Sequence, residues 1–136
     1  LMRYELETQL RAAGAQIVPD KVMADAVLIL HREKGQSRIL SVDTLGRARE
    51  YVLALTVNFT LQTAADEVLV EQQSSRVERD LRVDPNNVLA QDSDRELLQQ
   101  QMYRVAAGQI LRQLRSSIVT SDQRLPGAVT DSSPAR

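Results

Sequence analysis

Hydrophobic residues near the start of the chain recur at helical spacing. Met2, Leu6 and Leu10 fall on one face, and Gly14 follows the last turn, where a left-handed C-terminal cap is expected. The pattern predicts an amphipathic helix over residues 2–13.

A strictly alternating stretch predicts the central strand of a sheet. Its odd positions are apolar, whereas the even positions are largely polar, so one face should lie on a core. A short polar connection at 63–66 favours a hairpin to a strand at 67–83. The apolar positions of the central strand are Tyr51, Leu53, Leu55, Val57, Phe59 and Leu61.

Two further regions look extended but are interrupted. Residues 26–34 are β-like, and Arg38–Val42 resume the pattern after a turn or bulge expected at Gly35–Ser37. In the 67–83 strand the alternation weakens near Ser74 and Ser75, which predicts a bulge or an edge strand.

The second helix has a marked predicted start. Ser93 and Glu96 have capping-box spacing, and an apolar stripe from Leu98 to Leu114 follows, so the helix is placed at 93–116. Residues 119–136 contain two prolines and few apolar residues, and we expect a disordered tail there.

These elements define one α+β domain over residues 1–118. Sequential strands with short links pair antiparallel, and two helices can cover one face of such a sheet. The expected fold is therefore two helices packed on one face of a small, mainly antiparallel sheet of long strands. The other face is too polar for a second core layer and should meet water or a partner.

The amino-acid composition argues against several classes of function. The net charge of −1 and the 3% aromatic content argue against nucleic-acid binding. The absence of cysteine excludes disulfides, thiolate nucleophiles and zinc ribbons. No calcium loop or glycine-rich phosphate loop is present, so neither a metal nor a cofactor is expected.

Catalysis has little support in the sequence. His31 is the only histidine, and no nucleophile elbow accompanies it. We expect a solvent-facing strand residue there and a protein that is not an enzyme. A small hydrolase or transferase with an unrecognised site is the least favoured hypothesis.

Two groups of arginines are candidate binding residues. Arg47 and Arg49, next to Gly46, form either a solvated strand end or an anion-binding corner, since guanidinium forks match phosphate oxygens. The second group gives either edge protection by charge or a contact surface for an acidic or phosphorylated partner. It comprises Arg76, Arg79 and Arg82.

Three segments together resemble the LptE (RlpB) family of lipopolysaccharide-assembly lipoproteins from about residue 6 to 115. They are LRAAGAQIV, GRAREYVLALTVNFTL and NNVLAQDSDRELLQQQMYRVAAGQILRQL. The resemblance implies two helices on a small sheet, with a further strand before the first helix. It also implies an outer-membrane location on the periplasmic side, through an N-terminal lipid anchor on a cysteine expected upstream of this sequence.

The resemblance further implies two partners, the LptD β-barrel and lipopolysaccharide. Basic positions linked to lipopolysaccharide in some members match Thr44 and Gln91 here, which are not basic. Arg47, Arg49 and Arg38 are therefore the candidate lipopolysaccharide residues, and the Arg76 group is the candidate partner surface. The alternative function is a periplasmic pilot-type or interaction lipoprotein of another outer-membrane assembly machine.

Overall fold

A computed structural model describes residues 1–120 and 128–132. Two helices pack on one face of a mixed sheet whose strand order is β1-β5-β2-β3-β4. The predicted α+β class is therefore confirmed. In chain order the elements are α1 (Met2–Ala12), β1 (Gln16–Ile17), β2 (Ala26–Val42), β3 (Ala48–Gln62), β4 (Val68–Arg82), α2 (Val88–Thr120) and β5 (Ala128–Ser132).

The alternating stretch forms β3, the centre of the antiparallel part of the sheet. Its odd residues face the helices, as Phe59 (0% exposed) and Val57 (0%) show, and they pack with Leu6 of α1 and Ile110 of α2. β2 has 17 residues and β4 has 15, the same number as β3, so the central strand is paired along most of its length.

The irregularities of the two outer strands lie elsewhere than predicted. Gly35 pairs regularly with Leu55, and β2 runs through it without a turn. The register shifts of the β2–β3 pair fall instead at His31, at Leu40, and between Ser41 and Val42. β4 is an edge strand, which confirms one of the two predicted alternatives. Its pairing is regular through the two serines, and its register shifts lie at 71–72 and at Leu69. Side-chain pattern alone mislocated the bulges, because an extra residue only shifts the phase of the alternation by one, and such a shift among polar residues leaves little hydrophobic signal.

The second helix begins earlier than the predicted capping box. The Asn87 side chain accepts a hydrogen bond from the Ala90 N–H at 3.1 Å, and α2 starts at Val88. Ser93 thus lies inside the helix. Asn87 closes a turn by donating its backbone N–H to the Asp84 carbonyl at 3.0 Å, and as an N-cap residue it determines the start of the helix.

The predicted tail differs from the structure in part. α2 continues to Thr120, and Ala128–Ser132 form β5, which lies parallel to both β1 and β2. The rest of the predicted tail, 121–127 and 133–136, lies outside the described residues. A short apolar pair in a polar segment was too weak a signal for a strand.

Burial of the helix-facing side chains should dominate stability. Leu6→Ala, at a side chain that is 0% exposed, should lower the free energy of unfolding by about 2–5 kcal/mol through lost burial and a residual cavity. Leu97→Ala makes the same change at a helix position that is 60% exposed and should cost less than about 1 kcal/mol. Urea denaturation measures both, and equal losses would contradict this account of the core.

Candidate functional site

The loop between β2 and β3 is held by one carboxylate. Asp43 Oδ1 accepts hydrogen bonds from the backbone N–H of Leu45 (2.9 Å) and of Arg47 (2.8 Å), and its Oδ2 accepts one from Arg47 Nε at 2.9 Å. Gly46 has a φ of +79°, which glycine adopts without strain. The loop is therefore closed by side-chain contacts as well as by backbone pairing.

Ionisation of Asp43 is favoured by these contacts. The hydrogen bond from the backbone N–H of Arg47 lowers the pKa of Asp43, as do the Arg47 side chain and the Leu45 N–H, while burial opposes them. The carboxylate is therefore charged at neutral pH, and it forms a salt bridge with Arg47.

Arg47 also ties this loop to the turn before α2. Its Nη1 donates to Asn86 Oδ1 at 3.1 Å, and Asp84 Oδ1 accepts the backbone N–H of Asn86 at 2.9 Å. Between the two loops lies an open cleft of about 560 Å³, called here the hairpin-end cleft. Its charged lining residues are Asp43, Arg47, Arg49, Arg82, Asp84 and Asp94.

Two arginines of this cleft are available to bind a ligand. Arg49 and Arg82 are exposed, and within the described part of the chain their guanidinium groups form no hydrogen bond or salt bridge. Such groups are available to an anionic ligand without first breaking an internal contact. Arg47, by contrast, chiefly stabilises the loop.

The structure divides the predicted arginine groups differently from the sequence reasoning. Arg82 joins Arg47 and Arg49 at the cleft, although the sequence grouped it with the β4 residues. Arg38 lies outside the cleft, on the face of the sheet opposite the helices, beside Arg76. Residues three apart on a strand point to opposite faces, so Arg79 faces the helix side.

The face opposite the helices, called here the open face, carries a row of cations on β2. Arg32, Lys34 and Arg38 are all exposed and alternate with helix-side positions. They are called here the basic row. Arg76 donates from β4 to Thr56 Oγ1 at 3.0 Å and to Glu78 Oε2 at 2.8 Å. From the sequence, only Arg38 of the row was predicted as a candidate, because a turn or bulge expected at Gly35–Ser37 separated Arg38 from the β-like segment that contains Arg32 and Lys34.

A second cleft, of about 230 Å³, lies on the helix side between β2, β3 and α2. It is called here the side cleft, and the two helix-side residues that β2 contributes to it, Gly35 and Ser37, are small. The pKa of the Tyr103 hydroxyl at its rim is raised to about 12 by burial and by the neighbouring Glu33 carboxylate. Its lining includes Gly35, Ser37, Leu53, Leu55, Met102 and Tyr103.

The structure also bears on His31, on metal binding and on membrane-spanning helices. His31 Nε2 lies 2.6 Å from Thr60 Oγ1, at the first register shift of β2. Among residues 1–120 and 128–132, no three metal-ligating side chains converge. Within the same residues, neither helix combines the length and hydrophobicity that a bilayer crossing requires.

Comparison with known proteins agrees with the fold. The family model LptE, described as lipopolysaccharide-assembly, matches residues 1–114. The crystal structure of the rare lipoprotein B of Shewanella oneidensis is similar at 27% identity and a TM-score of 0.76, with 90% of each chain covered. The solution structure of a lipoprotein B of Nitrosomonas europaea is 30% identical, with a TM-score of 0.72, covering 88% of this chain and 77% of that one.

A third structure supports the fold alone. It is a minor lipoprotein of Acinetobacter baumannii, 23% identical with a TM-score of 0.70, covering 85% of this chain and 81% of that one. Because the family model covers most of the sequence, the chain belongs to the LptE lipopolysaccharide-assembly family. The resemblance inferred from the three sequence segments is confirmed.

The Asp43 contacts predict a pH-dependent contribution to stability. At neutral pH the free energy of unfolding should fall in the order wild type, Asp43→Asn, Asp43→Ala, because asparagine keeps an acceptor oxygen but loses the charge. The folded pKa lies below the ordinary value of 3.8, so the stabilisation is complete above that pH and is lost as the pH falls through the lowered pKa.

Urea denaturation at pH 7 and at about pH 3 tests this sign, because a group with a lowered pKa contributes less in acid. The difference between wild type and Asp43→Asn should shrink in acid. A difference of equal size at both pH values would contradict the role of the charge.

Proposed function

We propose that the protein is a non-catalytic subunit of the outer-membrane lipopolysaccharide translocon. In this role it binds lipopolysaccharide and the LptD barrel, and it helps to deliver lipopolysaccharide to the outer leaflet. The observation that carries the proposal is the convergence of Arg47, Arg49 and Arg82 on one open cleft in a chain of this family.

The chemistry of the hairpin-end cleft suits a phosphorylated sugar. Guanidinium groups bind phosphate oxygens in a bidentate manner, and Arg49 and Arg82 are available for such contacts. Asp84 and Asp94 offer acceptors for hydroxyl groups at the same cleft. A ligand that carries both phosphates and sugar hydroxyls therefore complements the mixed lining better than a simple anion does.

Two positions that are basic in some family members are occupied here by Thr44 and Gln91, and the arginines of the hairpin-end cleft can replace the missing charge. Thr44 belongs to the loop held by Asp43, and Gln91 lies in the first turn of α2, beyond the Asn86 turn. Arg49 and Arg82 lie close to these two segments. We infer that they supply the positive charge that other members place on the loops themselves.

The partner is proposed to contact the polar surfaces of the sheet. Arg76 on the open face and Arg79 on the helix side of β4 are candidate contacts for the LptD barrel. Many moderate polar contacts can hold a domain within a barrel without a large apolar patch. The proposed location is the periplasmic side of the outer membrane, through a lipid anchor.

Loss of the two available arginines should weaken lipopolysaccharide binding. The variant Arg49→Gln/Arg82→Gln should bind roughly tenfold or more weakly, since each charge-assisted contact contributes about 1.5–3 kcal/mol and 1.4 kcal/mol is a factor of ten. Fluorescence titration with purified lipopolysaccharide measures this. Glutamine preserves most of the side-chain length, and Arg47 is left unchanged so that the loop stays intact.

The matched control removes two exposed charges elsewhere. Arg112→Gln/Arg115→Gln lies in the later turns of α2, and the affinity of this variant should equal that of the wild type. Equal weakening in both double variants would indicate general electrostatic attraction and would remove the cleft from the proposal.

The partner assignment predicts a stable complex. Co-expression of the full-length precursor with LptD, followed by extraction in mild detergent, should recover the two proteins together at equal stoichiometry. Arg76→Glu should reduce this recovery, because it reverses a charge on the open face. Recovery of free protein only, or of a different outer-membrane partner, would favour the pilot-lipoprotein alternative.

A further inference from the structure

Within the described part of the chain, the edge of β2 remote from β3 is open over most of its length. Among the described residues, β5 pairs with this edge only from Ala26 to Ile29. From His31 to Leu40 every residue is exposed, and no described strand lies beside it. Such an edge presents backbone N–H and C=O groups that can pair with an added strand.

The two sides of this open edge have different chemistry. On the open face the basic row follows the strand at every second residue, apart from Gln36, and none of its three cations forms a salt bridge within the described residues. On the helix side the corresponding positions are Glu33, Gly35 and Ser37, of which the last two line the side cleft.

We propose that the open edge of β2 binds an extended segment of a partner protein in which acidic and apolar residues alternate. Directly opposite residues on adjacent strands have Cβ atoms about 4.5–5.5 Å apart, so acidic side chains of the segment lie against Arg32, Lys34 and Arg38. The intervening apolar side chains of the segment then point towards the side cleft.

The period of the edge matches that of the segment. Residues two apart on any strand are separated by about 6.4–6.8 Å, so the cations of the row and the acids of an added strand stay in step. The side cleft of about 230 Å³ has several times the volume of one water molecule, about 30 Å³, and has Leu53, Leu55 and Met102 in its lining. It can therefore take an apolar side chain.

Charge disfavours a second copy of this chain as the occupant in the two registers that pair most of the basic row. Antiparallel pairing of two β2 edges centred on Gln36 would place Lys34 opposite Arg38, and pairing centred on Gly35 would place Arg32 opposite Arg38. Like charges directly opposite each other are destabilising. The basic row thus opposes self-association of this edge while it favours an acidic strand.

The surface is separate from the hairpin-end cleft, so its test does not depend on the proposed lipopolysaccharide site. The probe is a labelled nine-residue peptide, capped at both ends, with valine at odd and glutamate at even positions. Its control has the same composition, with the four glutamates in one block. Binding to the full chain is measured by fluorescence anisotropy, and backbone protection is measured by amide hydrogen exchange.

The alternating peptide should bind, and it should slow amide exchange within residues 31–42, whereas the block peptide should bind more weakly and protect less. Lys34→Gln/Arg38→Gln should weaken binding by roughly fivefold through the loss of two cross-strand charge pairs. Arg112→Gln/Arg115→Gln, the control for charge, should bind like the wild type.

A third variant tests the side cleft. The Cβ of a side chain at Gly35 would meet no atom within 4 Å, and Gly35 does not have a positive φ, so Gly35→Leu should preserve the fold. Its side chain should fill the cleft and weaken peptide binding. Equal binding of the two peptides, or unchanged exchange in β2, would overturn the proposal. So would protection of β2 by lipopolysaccharide micelles and not by the peptide, since that result assigns the basic row to an anionic lipid.

Discussion

Contact between the odd-numbered face of β3 and the two helices is the interaction on which the rest of the structure depends. Phe59 and Val57 are fully buried against a core that includes Leu6 and Ile110. Because side chains alternate along a strand, a one-residue slip of β3 would move this whole apolar set to the open face. The same contact therefore fixes the register of β2 and β4, and with it the faces on which their cations lie.

The elements that follow from local periodicity were predictable, whereas those that depend on distant pairing were not. The alternation of β3 and the helical spacing in α1 identified both elements, because burial of one face imposes a period on the sequence. The bulges of β2 and β4 impose no such period on the sequence. β5 is defined by its pairing with Ala26–Ile29, which lie far from it in the sequence, so no local pattern predicted it.

The candidate site was predictable in residue type but not in grouping. The sequence identified Arg47 and Arg49, and the structure adds Arg82 to them across two loops. Which arginine is available depends on hydrogen bonds that the sequence does not display: Asp43 and Asn86 hold Arg47. The basic row required knowledge that β2 continues through Gly35, which sequence reasoning had treated as a turn or bulge.

The parallel strand β5 has a consequence for the order of assembly. The three long strands form a meander whose neighbours are joined by short loops, so their pairing closes little chain and carries a small entropic cost. β5 pairs with residues more than a hundred positions earlier in the sequence. Contacts of such high sequence separation form late. The meander is therefore expected to pair first, and the β1–β5–β2 side of the sheet is completed only when β5 docks between β1 and β2.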